Sequence, residues 1–234
     1  MQTRERILAA ALACFSEDGY ERTTVARIRE RSGVSNGALF HHFASKKAIA
    51  GALYVEAMRS VQEGHWALLT AHPATLDEAI RGVVAHQLQW TQDNPEWAAF
   101  LYAQGHLDWS STAAAELHSL NRDLAIAYRD WLAPFVDRGE ARPLSMIMLT
   151  AIVTGPAHAV AQRWLAKQLD GELTGFVDEL AEAAIAGVSS TPGASRAEAP
   201  LQQAHESRVR VQLLTSDGVV TAEGEAVVVR PPPR

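Results

Sequence analysis

The sequence predicts an all-α fold, and three observations lead to that prediction. Apolar residues recur at helical spacing through the first 188 of the 234 residues. N-cap residues and glycine stops divide this region into segments of ordinary helical length. Alternation of apolar and polar residues with period two, which is typical of strands, is confined to the C-terminal tail. We therefore predict about nine helices followed by a tail of different structure.

Three short helices are predicted before Ser45. The first ends at Gly19, a residue suited to the left-handed helix stop, and the second begins after the N-cap residue Thr24. A break at Gly33-Val34-Ser35 separates the second helix from the third. The apolar residues expected on the inner sides of these helices are Ile7, Ala11, Leu12, Phe15, Val25, Ile28, Leu39, Phe40 and Phe43.

Longer helices are predicted from Ser45 onwards. Ser45 caps a helix that extends to about residue 71, and Thr75 with Glu78 forms a capping-box pattern at the start of the next. Asn94-Pro95-Glu96 starts the sixth helix, with proline at the first helical position. The last three helices are predicted over about 112–138, 144–169 and 173–187. Pro156 should bend the eighth helix, because proline removes a backbone donor.

The composition changes at residue 189. Ser, Pro, Gly and Ala dominate residues 189–200, which is typical of a linker. Residues 208–230 then alternate with period two around Asp217-Gly218, which indicates a β-hairpin. Because a lone hairpin is marginally stable in water, it must dock on the helical body, pair with another chain or stay disordered. We expect a disordered or loosely docked tail.

The composition is that of a soluble protein, with 47% apolar and 21% charged residues. No apolar run approaches the ~18 residues of a transmembrane helix. The N-terminal segment is not predicted to be a signal peptide, because Glu17 and Asp18 follow it at once and no small-residue cleavage site is present. We expect a cytoplasmic protein with no membrane partner. The single cysteine, Cys14, excludes an internal disulfide and a cysteine-based metal cluster, and we expect it to be buried.

Charge is unevenly distributed along the chain. Residues 1–50 contain eight lysines and arginines against five acidic residues, whereas the remainder contains 13 against 22. A basic segment on an acidic body suits a protein that meets phosphate with one end only. The asymmetry is small, so it supports nucleic-acid binding only together with a specific motif.

Such a motif lies at residues 24–47. A short polar helix held against another helix by a tight turn is the geometry that places side chains in the DNA major groove. Ser35 caps the third helix, where free N–H groups attract phosphate, and Asn36 can contact a base edge. Gly37 and Ala38 let the backbone approach closely.

Basic residues flank this polar end. His41 and His42 extend towards the neighbouring backbone, and Lys46 and Lys47 place two ammonium groups at the next helix start. The plainer interpretation is an ordinary helical hairpin with a surface charge cluster. Any one of these residues alone would favour it, but their combination favours a DNA-reading surface.

Residues 6–53 resemble the N-terminal DNA-binding segment of the TetR family of transcriptional regulators. The family tract commonly reads Gly-Val-Ser-x-Gly-x-Leu-Tyr-x-His-Phe, followed by Ser-Lys. The matching residues here are Gly33, Val34, Ser35, Gly37, Leu39, His42, Phe43, Ser45 and Lys46. The resemblance implies that Thr24, His42 and Lys46 contact phosphates. It also implies that Asn36, Gly37, Ala38 and His41 face bases or the groove wall.

Three positions depart from the family pattern. Phe40 replaces a tyrosine whose hydroxyl reaches a phosphate, so it stays in the predicted DNA-facing set but lacks that contact. Arg29 replaces a small residue between two helices, and must either point outward or splay them. Lys47 replaces an acid and adds positive charge that faces DNA.

The body should hold an effector pocket and a dimer surface. An apolar pocket lined by aromatic residues with a few polar groups is the usual small-molecule site. The candidate pocket residues are His65, Trp66, Trp97, Phe100, Tyr102, His106, Trp131 and His158, with plain core packing as the alternative for each. Apolar stripes on the last two helices, and the family resemblance, predict a two-fold dimer through Leu149, Ile152, Val160, Phe176, Leu180 and Ala184.

Enzymatic interpretations have little support. The sequence contains no nucleophile elbow, phosphate loop or paired zinc-ligand motif, so we predict no catalytic residue, metal site or cofactor.

We expect a DNA-binding domain over 1–47, an effector-binding and dimerisation domain over 48–188, and a linker and tail over 189–234.

The predicted function is a homodimeric repressor that a small hydrophobic ligand releases from a pseudo-palindromic, double-stranded DNA operator. Two alternatives stay open at this point. One is a DNA-binding regulator that does not respond to a small molecule, or one that activates transcription. The other is a helical adaptor protein that has lost DNA binding, an interpretation that Phe40 and Arg29 keep open.

Overall fold

A computed structural model describes residues 2–104 and 111–190, together with the backbone of two strands at 206–214 and 220–229. The chain divides into two compact units, Met1–Ser190 and Thr191–Arg234. The all-α prediction is confirmed for the first unit, whose described residues form ten α-helices and one short 3-10 helix.

The N-terminal helices end and begin where capping residues predict. They are α1 (Thr3–Asp18), α2 (Val25–Ser32) and α3 (Asn36–His42), and the long α4 (Lys46–Thr70) follows. The side chains of Thr24, Ser35 and Ser45 each accept a hydrogen bond from a backbone N–H in the first turn of α2, α3 and α4. These three caps are short-range contacts, which is why sequence alone placed the helix starts.

Six further helices complete the first unit. They are α5 (Leu76–Asp93), α6 (Pro95–Gln104), α7 (Ser111–Asp137), α8 (Met146–Val153), α9 (Gly155–Leu165) and α10 (Val177–Val188), with the 3-10 helix Leu173–Phe176 before α10. The predicted eighth helix is therefore two helices, α8 and α9. Pro156 has no N–H for the Ile152 carbonyl, so the helix breaks at Thr154 rather than bending. Within the described residues no helix is long and apolar enough to cross a bilayer.

Helices α1–α3 and the start of α4, which carry the predicted DNA-binding residues, are called the DNA-reading end here, and their core includes residues from beyond the third helix. Cys14, Ile28 and Leu39 are fully buried there, and Cys14 is buried as expected. Ile49, Ala50 and Leu53 from α4 and Phe100 from α6 belong to the same cluster. The predicted boundary at residue 47 therefore falls inside a continuous core, because the start of α4 packs with α1–α3.

The body has a separate and larger core. It is formed mainly by α5, α7, α8, α9 and α10, and its buried members include Val84, Leu88, Trp131, Ala157 and Ala181. A smaller cluster joins α4, α5 and α6 around Ala57, Trp90 and Leu101. The middle of α4 thus lies between two packed regions.

The second unit contains one antiparallel hairpin. Strands β1 (Glu206–Leu214) and β2 (Val220–Val229) pair with Glu206 opposite Val229, and an irregularity in register follows Leu213. The turn predicted at Asp217-Gly218 lies outside the described residues. The hairpin itself matches the period-two pattern of the sequence.

Candidate nucleic-acid interface and ligand cavity

The turn between α2 and α3 is held rigidly by backbone and side-chain contacts. Gly33 has a φ of 63°, and its N–H donates to the carbonyls of Arg29 and Glu30. The Arg6 guanidinium donates to the Ser32 carbonyl at 2.7 Å, which ties α1 to the same turn. A side chain at residue 33 would meet Arg6 and strain the left-handed backbone, so glycine suits both the conformation and the space.

Helix α3 presents a polar face while two apolar residues fix its orientation. Leu39 and Phe43 are buried in the N-terminal core. The Ser35 hydroxyl accepts from the Ala38 N–H at 3.1 Å and leaves the other first-turn N–H groups at the helix end. Asn36 and Gly37 are exposed beside them, and this end of α3 is therefore accessible to DNA.

Most of the predicted DNA-binding residues are exposed. Thr24, Ser35, Asn36, Gly37, Phe40, His41, His42 and Lys47 are exposed, whereas Ala38 and Lys46 are half-buried. Phe40 retains 48% of its surface, so its assignment to the inner side of α3 was wrong. Successive helical positions point in different directions, and with Leu39 and Phe43 facing the core, Phe40 is turned to solvent.

Lys46 has a structural role that the sequence did not predict. Its ammonium donates to the carbonyls of Tyr20 and Glu21 at 2.8 and 3.1 Å, and lies 4.4 Å from the centroid of the Tyr20 ring. The lysine thus joins the start of α4 to the segment after α1. One of its three N–H groups is left for a phosphate.

Ion pairs hold α1 and α2 together at the surface. Arg27 pairs with Asp18 at 2.6 Å, and Arg31 pairs with Glu17 at 2.6 Å. These arginines are therefore neutralised by acidic partners of α1. Arg29 is exposed as well. The outward-pointing alternative for this residue is thus the one observed.

The body contains a partly open cavity of about 320 Å³ lined by residues of α4–α9. Its described walls are Tyr54, Met58, Val61, Gln62 and His65 of α4, Gln87 of α5, Leu101 and Tyr102 of α6, Leu124 and Tyr128 of α7, Thr150 of α8, Thr154, and His158 of α9. His65, Tyr102 and His158 are members of the predicted set. The α4 residues recur at helical spacing, a signal from which Gln62 and Tyr54 could have been predicted.

Four predicted pocket residues lie elsewhere. Trp97 and Phe100 pack against the core of the DNA-reading end, and Trp131 lies in the body core. Trp66 is 45% exposed and lines a separate surface groove. Aromatic character predicted burial for most of them, but not the core in which each is buried. His106 lies outside the described residues.

Two groups of polar side chains at the cavity differ in their hydrogen bonding. Tyr102 accepts from the Gln87 amide and bonds the Thr91 hydroxyl, each at 2.9 Å, so these three side chains satisfy one another. His65 and Gln62 each have one buried atom, Nε2 and Oε1, without a hydrogen-bond partner. Burial, with a smaller effect of His86, lowers the pKa of His65 to about 3.

The predicted dimer residues are only partly available at the surface. Leu149 and Ala184 are buried within the chain and offer little surface to a partner. Ile152, Val160, Phe176 and Leu180 are half-buried and pack against the body core. The exposed apolar residues of this region are Ile147 and Met148 of α8, which keep 77% and 49% of their surface.

Comparison with known proteins bears on the DNA-reading end. Residues 7–53 match the family model described as bacterial regulatory proteins, tetR family. Over this N-terminal segment the chain is similar to the TetR family. The matched segment ends in α4 at Leu53, which agrees with the extent of the N-terminal core.

Transcriptional repressors are among the proteins of similar sequence. The transcriptional repressor AcnR of Corynebacterium efficiens is 38% identical over 84 residues, which is 36% of this chain and 42% of that protein. The A-factor receptor protein of Streptomyces griseus is 44% identical over 62 residues, 26% of this chain and 22% of that protein. These matches span less than half the length of either relative.

Solved structures match over most of the chain and support the fold. A TetR-family transcription regulator from Marinobacter aquaeolei aligns with a TM-score of 0.67 and 18% identity, over 81% of this chain and 96% of that one. FadR from Bacillus subtilis, solved with stearoyl-CoA, aligns with a TM-score of 0.66 and 17% identity, over 78% of this chain and 98% of that one. At this identity the likeness extends to architecture alone.

Proposed function

We propose that the chain is a homodimeric DNA-binding repressor that leaves a pseudo-palindromic operator when a small ligand enters the body cavity. The exposed N-terminal end of α3, held by a rigid turn and by the buried Leu39 and Phe43, carries the DNA-binding part of this proposal. The similar AcnR proteins are repressors, which favours repression over activation for this chain.

The structure suggests how the cavity could act on the DNA-reading end. Leu101 and Tyr102 of α6 line the cavity, while the adjacent Phe100 stacks on Phe15 of α1. Helix α4 also touches both regions, since its start belongs to the N-terminal core and its middle lines the cavity. A ligand that fits one position of these helices better than another would shift the population between them.

The proposed dimer uses the exposed apolar surface of α8. Ile147 and Met148 are among the few large hydrophobic residues exposed in the described part of the chain. Their neighbours in sequence, Met146 and Leu149, line a groove of about 610 Å³ together with α7. A second copy covering this surface would remove it from water and give two reading helices for two half-sites.

DNA binding is tested by titrating the protein against the intergenic DNA beside its own gene and against random DNA of equal length. We expect a marked preference for the former, with half-site centres about 34–36 Å apart or a multiple of that spacing. Asn36→Ala should relax the preference at one or two base pairs. Equal affinity for both DNAs would favour the adaptor alternative.

Assembly is tested separately with Ile147→Glu. We expect this variant to be monomeric and to lose tight operator binding, because a buried unpaired carboxylate opposes association. Ala99→Glu, at an exposed position of α6, is the matched control and should remain dimeric. A monomeric variant with full operator affinity would contradict the dimer.

A further inference from the structure

The walls of the body cavity limit the chemistry of its ligand. With about 320 Å³, the cavity lies at the lower end of the ~300–1,000 Å³ range of small-molecule sites. Met58, Val61, Leu101 and Leu124 supply apolar walls. A compact molecule with an apolar skeleton fits this space.

Two buried atoms in the cavity wall lack hydrogen-bond partners, which favours a ligand that carries a polar group. Gln62 keeps 8% of its surface and His65 5%, and neither Gln62 Oε1 nor His65 Nε2 has a hydrogen-bond partner. The Gln62 Nε2 group is already committed to Asn121 Oδ1 at 2.8 Å. Exchanging oxygen and nitrogen in both amides would keep that bond and leave a donor unpaired instead, so Gln62 demands a polar partner in either orientation. Leaving such a group unpaired is costly, and a ligand can remove the cost.

The remaining polar network offers less to a ligand. The Thr91 hydroxyl donates to the Gln87 carbonyl, so the Tyr102 hydroxyl must donate to Thr91 while it accepts from Gln87. The proton of Tyr102 is therefore used internally. Gln62 and His65, three residues apart on α4, each keep a buried atom that a ligand could pair.

No described residue that lines the cavity is an aspartate, glutamate, lysine or arginine. The two histidines do not supply positive charge at neutral pH, because burial lowers the pKa of both His65 and His158. On these described walls an ionised ligand would meet no opposite charge, and burying a charge unpaired is strongly unfavourable.

We propose that the cavity binds an uncharged, compact ligand whose hydroxyl or N–H group donates a hydrogen bond to Gln62 Oε1 and whose polar end also contacts His65. This inference rests on the proposed function, in which the cavity is the effector site. It narrows the expected small hydrophobic effector to a neutral molecule with one polar end.

Three probes of similar shape test the proposal: cinnamyl alcohol, the hydrocarbon propenylbenzene and the anion cinnamate. Their binding to the full-length protein is measured by isothermal titration calorimetry at neutral pH, without DNA. We expect the alcohol to bind at least about tenfold more tightly than either of the others, the factor expected when a buried polar group gains its partner. Preference for cinnamate, equal binding of alcohol and hydrocarbon, or binding of none at millimolar concentration would overturn the proposal.

The variant Gln62→Leu tests whether Gln62 causes the preference for the alcohol over the hydrocarbon. The variant should lose about tenfold in affinity for cinnamyl alcohol and should bind propenylbenzene at least as well as the unaltered protein. Gln162→Leu, at an exposed position of α9, is the control and should bind all three probes unchanged. Unchanged selectivity in a folded Gln62→Leu protein would overturn the assignment, and the probe ranking of the unaltered protein decides the matter if that variant fails to fold.

The operator titration keeps this inference separate from the proposed function. Probes that bind in the expected order but leave operator affinity unchanged would argue against ligand release while the ligand class stands. A reversed order in a protein that still prefers its operator would reject the ligand class and leave DNA binding intact.

Discussion

Phe100 of α6 stacks on Phe15 of α1, with ring centroids 5.5 Å apart and planes inclined by 11°. The next two residues of α6, Leu101 and Tyr102, line the body cavity. One helix therefore joins the core of the DNA-reading end to the proposed ligand site. A shift of α6 on ligand binding would be felt at α1 without any intervening loop.

Phe100→Leu tests this connection. We expect a loss of about 1–2 kcal/mol in the free energy of unfolding, because the ring contact and part of the packing are removed. Hydrogen exchange should become faster in α1 in particular. Phe135→Leu, which alters a buried ring in the body core, should lower stability similarly but leave α1 protected relative to the rest of the molecule. Identical exchange patterns in the two variants would argue against a specific link between α6 and α1.

Phe40→Tyr should increase DNA affinity. Phe40 is exposed on α3, and a hydroxyl at its ring end would restore the phosphate contact that the family resemblance implies. One additional hydrogen bond is worth about 0.5–1.5 kcal/mol, or several-fold in affinity. Because phosphates carry no sequence information, operator and random DNA should gain equally in a fluorescence-anisotropy titration. A gain restricted to the operator would mean that residue 40 reads bases.

Lys46 and Lys47 should behave differently when each is replaced by alanine. Lys46→Ala removes two hydrogen bonds to the carbonyls of Tyr20 and Glu21, so it should lower the free energy of unfolding by about 1–2 kcal/mol as well as weaken DNA binding. Lys47 is exposed, and Lys47→Ala should change stability by less than ~0.5 kcal/mol.

Salt titration completes the comparison of the two lysines. Lys47→Ala should weaken binding to all sequences and reduce the slope of log affinity against log salt by about one. Urea denaturation of both variants provides the stability measurement. Equal stability losses would show that the Lys46 contacts contribute nothing to the fold.

Lowering the pH below the ordinary pKa of histidine should decrease the free energy of unfolding. The pKa of His65 is lowered from 6.5 to about 3 by burial and, to a smaller degree, by His86. Above pH 6.5, His65 is neutral in both the folded and the unfolded chain, so its ionisation does not reduce stability. As the pH falls from 6.5 towards 3, His65 becomes protonated in the unfolded chain but stays neutral in the folded chain. The free energy of unfolding therefore decreases progressively over this range.

The expected loss due to His65 is about 2 kcal/mol at pH 5, measured by urea denaturation at several pH values. His158, whose pKa is also lowered by burial, acts in the same direction. His65→Leu should flatten the profile, whereas His118→Leu, at an exposed position of α7, should leave it unchanged. A profile that His65→Leu does not alter would place the pH sensitivity elsewhere.

The N-terminal segment was largely predictable because its determinants are local. The caps at Thr24, Ser35 and Ser45 each bond an N–H three residues away, and Gly33 marks the left-handed stop of α2. Contacts of this range are encoded in a few consecutive residues, so the sequence by itself determined where these helices begin and which polar end is exposed. The break at Pro156 has the same local origin, although its outcome was two helices rather than one bent helix.

The identity of each side chain's partner was decided by tertiary structure alone. Helical periodicity indicated that Phe100 and Trp131 are buried, but only packing placed the first in the N-terminal core and the second in the body core. Lys46 turns back to carbonyls that precede it by 25 and 26 residues. The unpaired atoms of Gln62 and His65 likewise arise from the way α4–α9 surround one cavity. Periodicity specifies which face of a helix avoids water, whereas the neighbour on that face depends on how distant helices pack.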